Sequence, residues 1–150
     1  MTEILFYHLQ RQPIERVLPS LLERSLERGW RVVVQTANEE RIDALDAHLW
    51  TYREDGFLAH GTYRENEAAL QPVLLTVNDD NPNGAHVRFL IDGAPVPADA
   101  AAYQRIVLLF DGEDDEAVAA ARTHWTAVKA GGHEATYWQA DENGRWEKKA

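Results

Sequence analysis

The chain has 150 residues, 45% of them hydrophobic, so its composition fits one folded domain and excludes disorder. The absence of cysteine excludes disulfides, zinc–thiolate sites and thiol nucleophiles. A net charge of −10, from 15 Lys and Arg against 25 Asp and Glu, disfavours direct binding to nucleic acid. No apolar run approaches the roughly 18 residues of a membrane span, and residues 1–4 do not resemble a signal peptide. We therefore expect a soluble cytoplasmic protein.

The first third of the chain alternates between strand and helix patterns. Residues 4–9 predict a short strand, and apolar residues at helical spacing over 14–26 predict a helix that ends at Gly29. Pro19 leaves two alternatives for this helix, because proline is tolerated in a first turn and kinks a helix interior. The helix either begins at Pro19 or kinks there. Residues 30–36 predict the second strand.

The middle of the chain is less regular. Asn38 is a suitable N-cap for a second helix, whereas residues 51–70 show no period and predict a long loop with a role of its own. Residues 73–77 predict a third strand. Apolar residues then alternate with His86, Arg88 and Leu90, which predicts a strand with one wetter face.

The last third repeats the strand–helix order. Residues 105–110 predict a buried strand, residues 113–129 a helix, and residues 134–139 a final strand followed by a hairpin turn at 141–144. Strands that alternate with helices predict an α/β fold, with a mostly parallel sheet covered by helices on both faces and an antiparallel edge. We expect residues 1–150 to form a single domain.

The usual cofactor and catalytic signatures are missing from the sequence. The turn at residues 8–13, after the first strand, contains no glycine, which argues against a phosphate-binding loop. The acidic run at 113–116 suits the first turn of a helix better than a cation site. Six scattered histidines lack the spacing of a helical zinc site, and no serine lies in a nucleophile turn. The sequence therefore predicts no metal and no cofactor.

Aromatic and basic residues suggest a peptide site instead. Arg122 and Trp125 are three residues apart on the predicted helix at 113–129, so they share a face of it. Trp50 and Phe57 lie near the end of the second predicted helix. A guanidinium beside large apolar side chains suits a peptide with a carboxylate and an aromatic residue. The alternative is that Trp50 and Trp125 only pack in the core.

Six short segments, in their order and spacing, carry a family resemblance. They are Phe6-Tyr7, Gly29-Trp30-Arg31-Val32, Asp46-Ala47-His48-Leu49-Trp50, Asn81-Pro82-Asn83-Gly84, Phe110-Asp111-Gly112 and Tyr137-Trp138. With them the chain resembles, over nearly its whole length, the chi subunit of bacterial DNA polymerase III holoenzyme. The resemblance implies a Rossmann-like, three-layer α/β fold without a nucleotide site, and a non-catalytic role without cofactors.

The resemblance also implies partners. Members of this family tether the clamp-loader complex to single-stranded-DNA-binding protein by gripping that protein's acidic C-terminal tail, which ends in phenylalanine. They usually reach the clamp loader through the small psi subunit, and some also pair with a repair helicase.

The resemblance assigns candidate site residues one by one. Trp50 and Phe57 match the family's aromatic pair in identity and spacing. Arg122 matches the arginine expected to hold the terminal carboxylate of the tail, and Trp125 stands where a tyrosine is common. We therefore expect these four residues to bind the tail.

The same comparison shows where this chain departs from the family pattern. Val118 stands where some members have a lysine, and Asp111 stands where the family has an apolar pocket residue. Thr126 stands at another position where the family has a basic residue. These departures weaken the basic face. His124 and Lys129 are candidates to compensate for the lost charge.

An enzyme is the competing interpretation. Asp111 and Asp114 follow a predicted strand directly, at the edge where α/β sheets place their ligands. Such an enzyme requires a polar pocket with a perturbed acid or a bound metal.

Overall fold

The computed structural model describes residues 2–52, 58–141 and 143–150, and eight strands of this part of the chain form one sheet. The elements in chain order are β1 (Glu3–Leu9), α1 (Ile14–Glu27), β2 (Val32–Thr36), α2 (Glu39–Thr51), β3 (Gly61–Thr62), β4 (Val73–Thr76), β5 (Val87–Ile91), β6 (Arg105–Asp111), α3 (Asp115–Ala130), β7 (Glu134–Ala140) and β8 (Trp146–Lys148). The strand order is β3-β4-β2-β5-β6-β1-β7-β8. All neighbouring strands are parallel except β7 and β8, which are antiparallel. The predicted α/β class, the mostly parallel sheet and its antiparallel edge are confirmed.

Alternate residues of each strand pack on opposite sides of the sheet. We call these sides the α1/α2 face and the α3 face, after the helices that pack on them. Leu5 and Leu109 belong to the core cluster that contains the apolar residues of α1 and α2. Phe6 and Phe110 belong to the cluster that contains the buried residues of α3. Because side chains alternate along a strand, neighbouring residues of β1 and β6 serve different layers.

Helix α1 starts at Ile14 and runs through Pro19, which is buried inside it, so the alternative that the helix begins at Pro19 is wrong. Proline has no N–H, so it cannot bond the carbonyl of Glu15 four residues earlier. His48 of α2 lies 2.6 Å from that Glu15 oxygen through its Nε2 atom. The second helix therefore compensates for the bond that the first helix loses.

The predicted N-cap of the second helix is confirmed. The Asn38 side chain accepts a hydrogen bond from the Glu40 N–H at 3.0 Å and caps α2.

Strand β3, only two residues long, was not predicted, because it lies in the segment where the sequence shows no period. None of the helices in the described residues is long and apolar enough to cross a membrane.

The predicted wetter face of β5 is wrong. Arg88 is fully buried and Leu90 is 2% exposed. Helix α3 lies over β6 and β7, so irregular segments, including Tyr103, cover the α3 face near β5. The Arg88 guanidinium donates to the Gln35 side chain, the Tyr103 hydroxyl and the carbonyls of residues 78 and 80. Long-range hydrogen bonds, which a sequence pattern does not reveal, satisfy this buried cation.

Candidate functional site

Trp50 lies at the C-terminal end of α2 on the α1/α2 face, and 52% of it is exposed. Its ring centroid is 4.5 Å from that of His60. His60 is itself buried and held by the carbonyl of Leu58 at 2.7 Å and the Asp46 carboxylate at 3.0 Å. Trp50 is therefore an exposed aromatic side chain on a fixed support. Its predicted companion Phe57 lies outside the described residues.

Arg122 and Trp125 lie on α3, where Arg122 is exposed and Trp125 is half-buried. The Trp125 ring makes edge contacts with Phe6 at 5.3 Å and with Tyr137 at 6.0 Å between centroids. The Lys129 ammonium is 5.3 Å from the centre of the same ring, in a cation–π arrangement. Trp125 thus belongs in part to the core and in part to a surface that carries positive charge.

Two residues at this surface were not singled out from the sequence as site residues. His8 of β1 and Tyr137 of β7 are hydrogen-bonded through Nδ1 and the hydroxyl at 2.6 Å. Both rings also contact Phe110, at 5.2 and 6.0 Å between centroids. The available signal in the sequence was the alternation in β1, which places His8 on the same face as Phe6. Only the structure shows that Tyr137 is the strand partner of Phe6.

The charges around this pair are mixed. Burial raises the pKa of the Tyr137 hydroxyl, and the positive charge of Arg122 opposes that rise. Burial lowers the pKa of His8, and the negative charge of Asp111 opposes that fall. Arg122 and Asp111 therefore act on the same hydrogen-bonded pair with opposite charge. The negative charge of Asp111 reduces the positive potential of the surface.

The remaining candidates lie around α3. Val118 is half-buried and packs against the α3-face core, so it adds apolar area to this surface. His124 lines a small apolar pocket of about 60 Å³ between α3 and the strands, together with Ala94 and Ala120. The Thr126 hydroxyl donates a hydrogen bond to the Arg122 carbonyl within the helix.

Gly112 allows the close approach of the β1 and β6 ends at this site. Its N–H donates to the Leu9 carbonyl at 2.7 Å, and a Cβ at residue 112 would lie 1.9 Å from His8 Nε2. We expect Gly112→Ala to lower the free energy of unfolding by about 1–3 kcal/mol, as overpacking does. Urea denaturation of both proteins measures this difference.

Gly131→Ala is a suitable control, because a Cβ there comes no closer than 3.4 Å to its neighbours. This control is expected to stay within about 0.5 kcal/mol of the parent, as surface substitutions usually do. Equal stability of the two variants would contradict the steric role assigned to Gly112.

The structure brings some of the sequence-predicted residues together and separates others. Arg122 and Trp125 share α3 with Val118, and Asp111 ends the strand beneath them. Trp50 lies on the opposite face of the sheet, on a helix that contacts β2, β3 and β4, whereas α3 contacts β6 and β7. The two tryptophans therefore belong to helices that cover opposite faces of the sheet.

The family model of the DNA polymerase III chi subunit, HolC, matches residues 1–136. The chain belongs to this chi-subunit family. It is also 26% identical, over 121 residues, to the "Probable DNA polymerase III subunit chi" of Rickettsia prowazekii (strain Madrid E), a match that covers 74% of this chain and 71% of the relative. The family resemblance inferred from the sequence is confirmed.

A DNA polymerase III chi subunit takes part in DNA replication as a component of the replisome, which is consistent with a non-catalytic subunit. The carboxylates of the competing enzyme interpretation have local structural roles in this chi subunit. Asp111 accepts a hydrogen bond from the Glu113 N–H at 2.9 Å, and Asp114 caps α3 by accepting from the Glu116 N–H at 3.0 Å. No group of three His, Asp or Glu side chains among the described residues is placed to hold a metal ion.

The same edge of this chi subunit carries a cleft of about 710 Å³, lined by Asp111 and Asp114 on one side. On the other side, Arg41 forms ion pairs with Glu15 and Asp92. The Arg41 guanidinium donates to both Asp92 oxygens, at 2.7 and 3.1 Å. These paired side chains hold α1, α2 and the end of β5 together at the cleft.

Proposed function

We propose that this chi subunit is a non-catalytic adaptor that binds the acidic C-terminal tail of single-stranded-DNA-binding protein and links it to the clamp loader. The observation that carries the proposal is the exposed Arg122 cation beside the aromatic cluster of Trp125 and Tyr137. A guanidinium suits a terminal carboxylate, and a half-buried aromatic surface suits the ring of a terminal phenylalanine. The net charge of −10 makes a protein partner more suitable than nucleic acid.

An adaptor requires a second surface, and we propose Trp50 for it. Its half-exposed ring lies on the other face of the sheet, so a partner bound there leaves the α3 face open. The psi subunit, the clamp loader itself or a repair helicase is the partner proposed for this surface. Phe57, which the resemblance pairs with Trp50, lies outside the described residues, so its role in binding the tail stays a prediction.

The fold proposed for the whole chain follows from the packing of the two core clusters against the sheet. Residues 1–150 are proposed to form a single Rossmann-like, three-layer domain without a nucleotide site. Two core clusters on opposite faces of one sheet support three layers, and the turn after β1 contains no glycine to receive a phosphate. The proposed location is the cytoplasm, where bacterial replication takes place.

Titration with a synthetic peptide of the tail tests the proposal. The peptide carries the C-terminal sequence of the single-stranded-DNA-binding protein of the same organism, and tryptophan fluorescence reports binding. We expect saturable binding that is lost when the terminal phenylalanine is removed. Because charge steers the encounter and contributes to binding, we also expect affinity to fall as salt is raised.

Two results would contradict parts of this proposal. Absence of binding at any salt concentration would show that Asp111, Val118 and Thr126 mark a lost tail site. Binding that does not change with salt would indicate an apolar groove in place of a site built around Arg122.

A further inference from the structure

The environment of His8 determines which group donates the hydrogen bond between His8 and Tyr137. A neutral imidazole carries its proton on one nitrogen, so Nδ1 either donates to the tyrosine oxygen or accepts from the tyrosine hydroxyl. The two atoms are 2.6 Å apart, and Tyr137 lies beside Trp125. If Nδ1 donates, the hydroxyl proton is available to another acceptor. If Nδ1 accepts, that proton is used within the pair.

The other ring nitrogen of His8 favours the first arrangement. Nε2 is buried and has no hydrogen-bond partner among the residues that the structure describes. It lies against the backbone of Gly112, where a Cβ would come within 1.9 Å of it. Nε2 is unpaired in either tautomer, and an unpaired buried N–H donor is rarer in native proteins than an unpaired acceptor. The neutral ring therefore holds its proton on Nδ1 and donates it to the Tyr137 oxygen.

This direction leaves the Tyr137 hydroxyl able to donate on the face of the sheet that α3, with Arg122, covers. Arg122 is exposed on α3 three residues before Trp125, whose ring is 6.0 Å from the Tyr137 ring between centroids. The positive charge of Arg122 also opposes the rise that burial produces in the tyrosine pKa. The Trp125 and Phe110 rings, each 6.0 Å from the Tyr137 ring between centroids, supply apolar surface around the tyrosine ring. A hydroxyl donor and a guanidinium beside an apolar surface form a binding site for a carboxylate that is next to an aromatic side chain.

We propose that the Tyr137 hydroxyl, oriented by His8, donates a hydrogen bond to the terminal carboxylate of the peptide that Arg122 binds. This inference rests on the proposed function and adds two residues to its site. Tyr137 is a binding residue, because it touches the ligand. His8 is a positioning residue, because it acts through Tyr137.

Tyr137→Phe tests the binding residue, because it removes the hydroxyl and keeps the ring. We expect its affinity for the tail peptide to fall about tenfold or more, as for other hydrogen bonds to charged groups. The matched ligand is the same peptide with a C-terminal amide. For that peptide the parent and Tyr137→Phe are expected to bind equally, because the carboxylate is absent from both complexes.

His8→Leu tests the positioning residue in a double-mutant cycle. We expect it to weaken binding of the acid peptide in the parent and to have no effect in the Tyr137→Phe background. A purely structural role of His8 would weaken binding in both backgrounds. The ¹⁵N chemical shifts of the His8 ring provide a readout that is independent of affinity, and they are expected to report a protonated Nδ1 at neutral pH.

Failure of this inference and failure of the proposed function are distinguishable. If Arg122→Ala weakens binding and Tyr137→Phe does not, the inference is overturned and the adaptor role stands. A His8 ring protonated on Nε2 would likewise overturn it. If the unmodified protein binds neither peptide, both the adaptor role and the inference are overturned.

Discussion

Replacement of Arg88 by alanine is expected to lower the free energy of unfolding by about 4 kcal/mol or more. The side chain is fully buried, so its removal leaves a cavity at the α3 face of β5. It also leaves the buried Gln35 side chain and the Tyr103 hydroxyl without their donor, and each such orphaned group costs about 1–3 kcal/mol. Since domains of this size have only about 5–15 kcal/mol of stability, we expect a large shift of the denaturation midpoint.

The matched control for this loss is Arg145→Ala, which removes the same charge from an exposed position. Its stability is expected to lie within about 0.5 kcal/mol of the parent. Urea denaturation, followed by circular dichroism, measures both variants. If the two variants lose the same stability, Arg88 does not anchor the irregular segments on the α3 face.

Replacement of Arg122 by alanine is expected to weaken binding of the tail peptide by about 1.5–3 kcal/mol, the range for hydrogen bonds to charged groups. The residue is exposed on α3, so the loss appears in affinity and not in folding stability. Arg122→Lys is expected to be intermediate, because lysine keeps the charge but lacks the planar fork that binds a carboxylate with two parallel bonds. Calorimetric titration at fixed salt measures the three dissociation constants.

Arg145→Ala also serves as the control for this measurement, since it changes the net charge by the same amount. Unchanged affinity in Arg122→Ala would place the peptide elsewhere on the molecule. The next surface to test would then be the groove of about 460 Å³ on the α1/α2 face. There Arg28 and Arg105 lie 5.0 and 5.1 Å from the centre of the Trp30 ring, so this groove also combines cations with an aromatic side chain.

The candidate site was predictable from the sequence only in part. Arg122 and Trp125 were found because helical spacing alone places residues three apart on one face. Tyr137 and His8 were not singled out, because their contact joins strands that are 129 positions apart in sequence. The separation of Trp50 from Trp125 was also not predictable, since it depends on which face of the sheet each helix covers.

The sequence by itself determined the α/β class, the N-cap at Asn38, most element positions and the chi-subunit family. The structural features depend on residues close together along the chain, whose spacing favours helix or strand without reference to the rest of the molecule. The family depends instead on the identity and order of six short segments between residues 6 and 138. Only the tertiary structure decided the burial of Arg88, the support that His48 gives to the helix containing Pro19, and the pairing of His8 with Tyr137. Each of these depends on strand order and helix placement, because a polar group tolerates burial only where distant parts of the chain supply its hydrogen-bond partners.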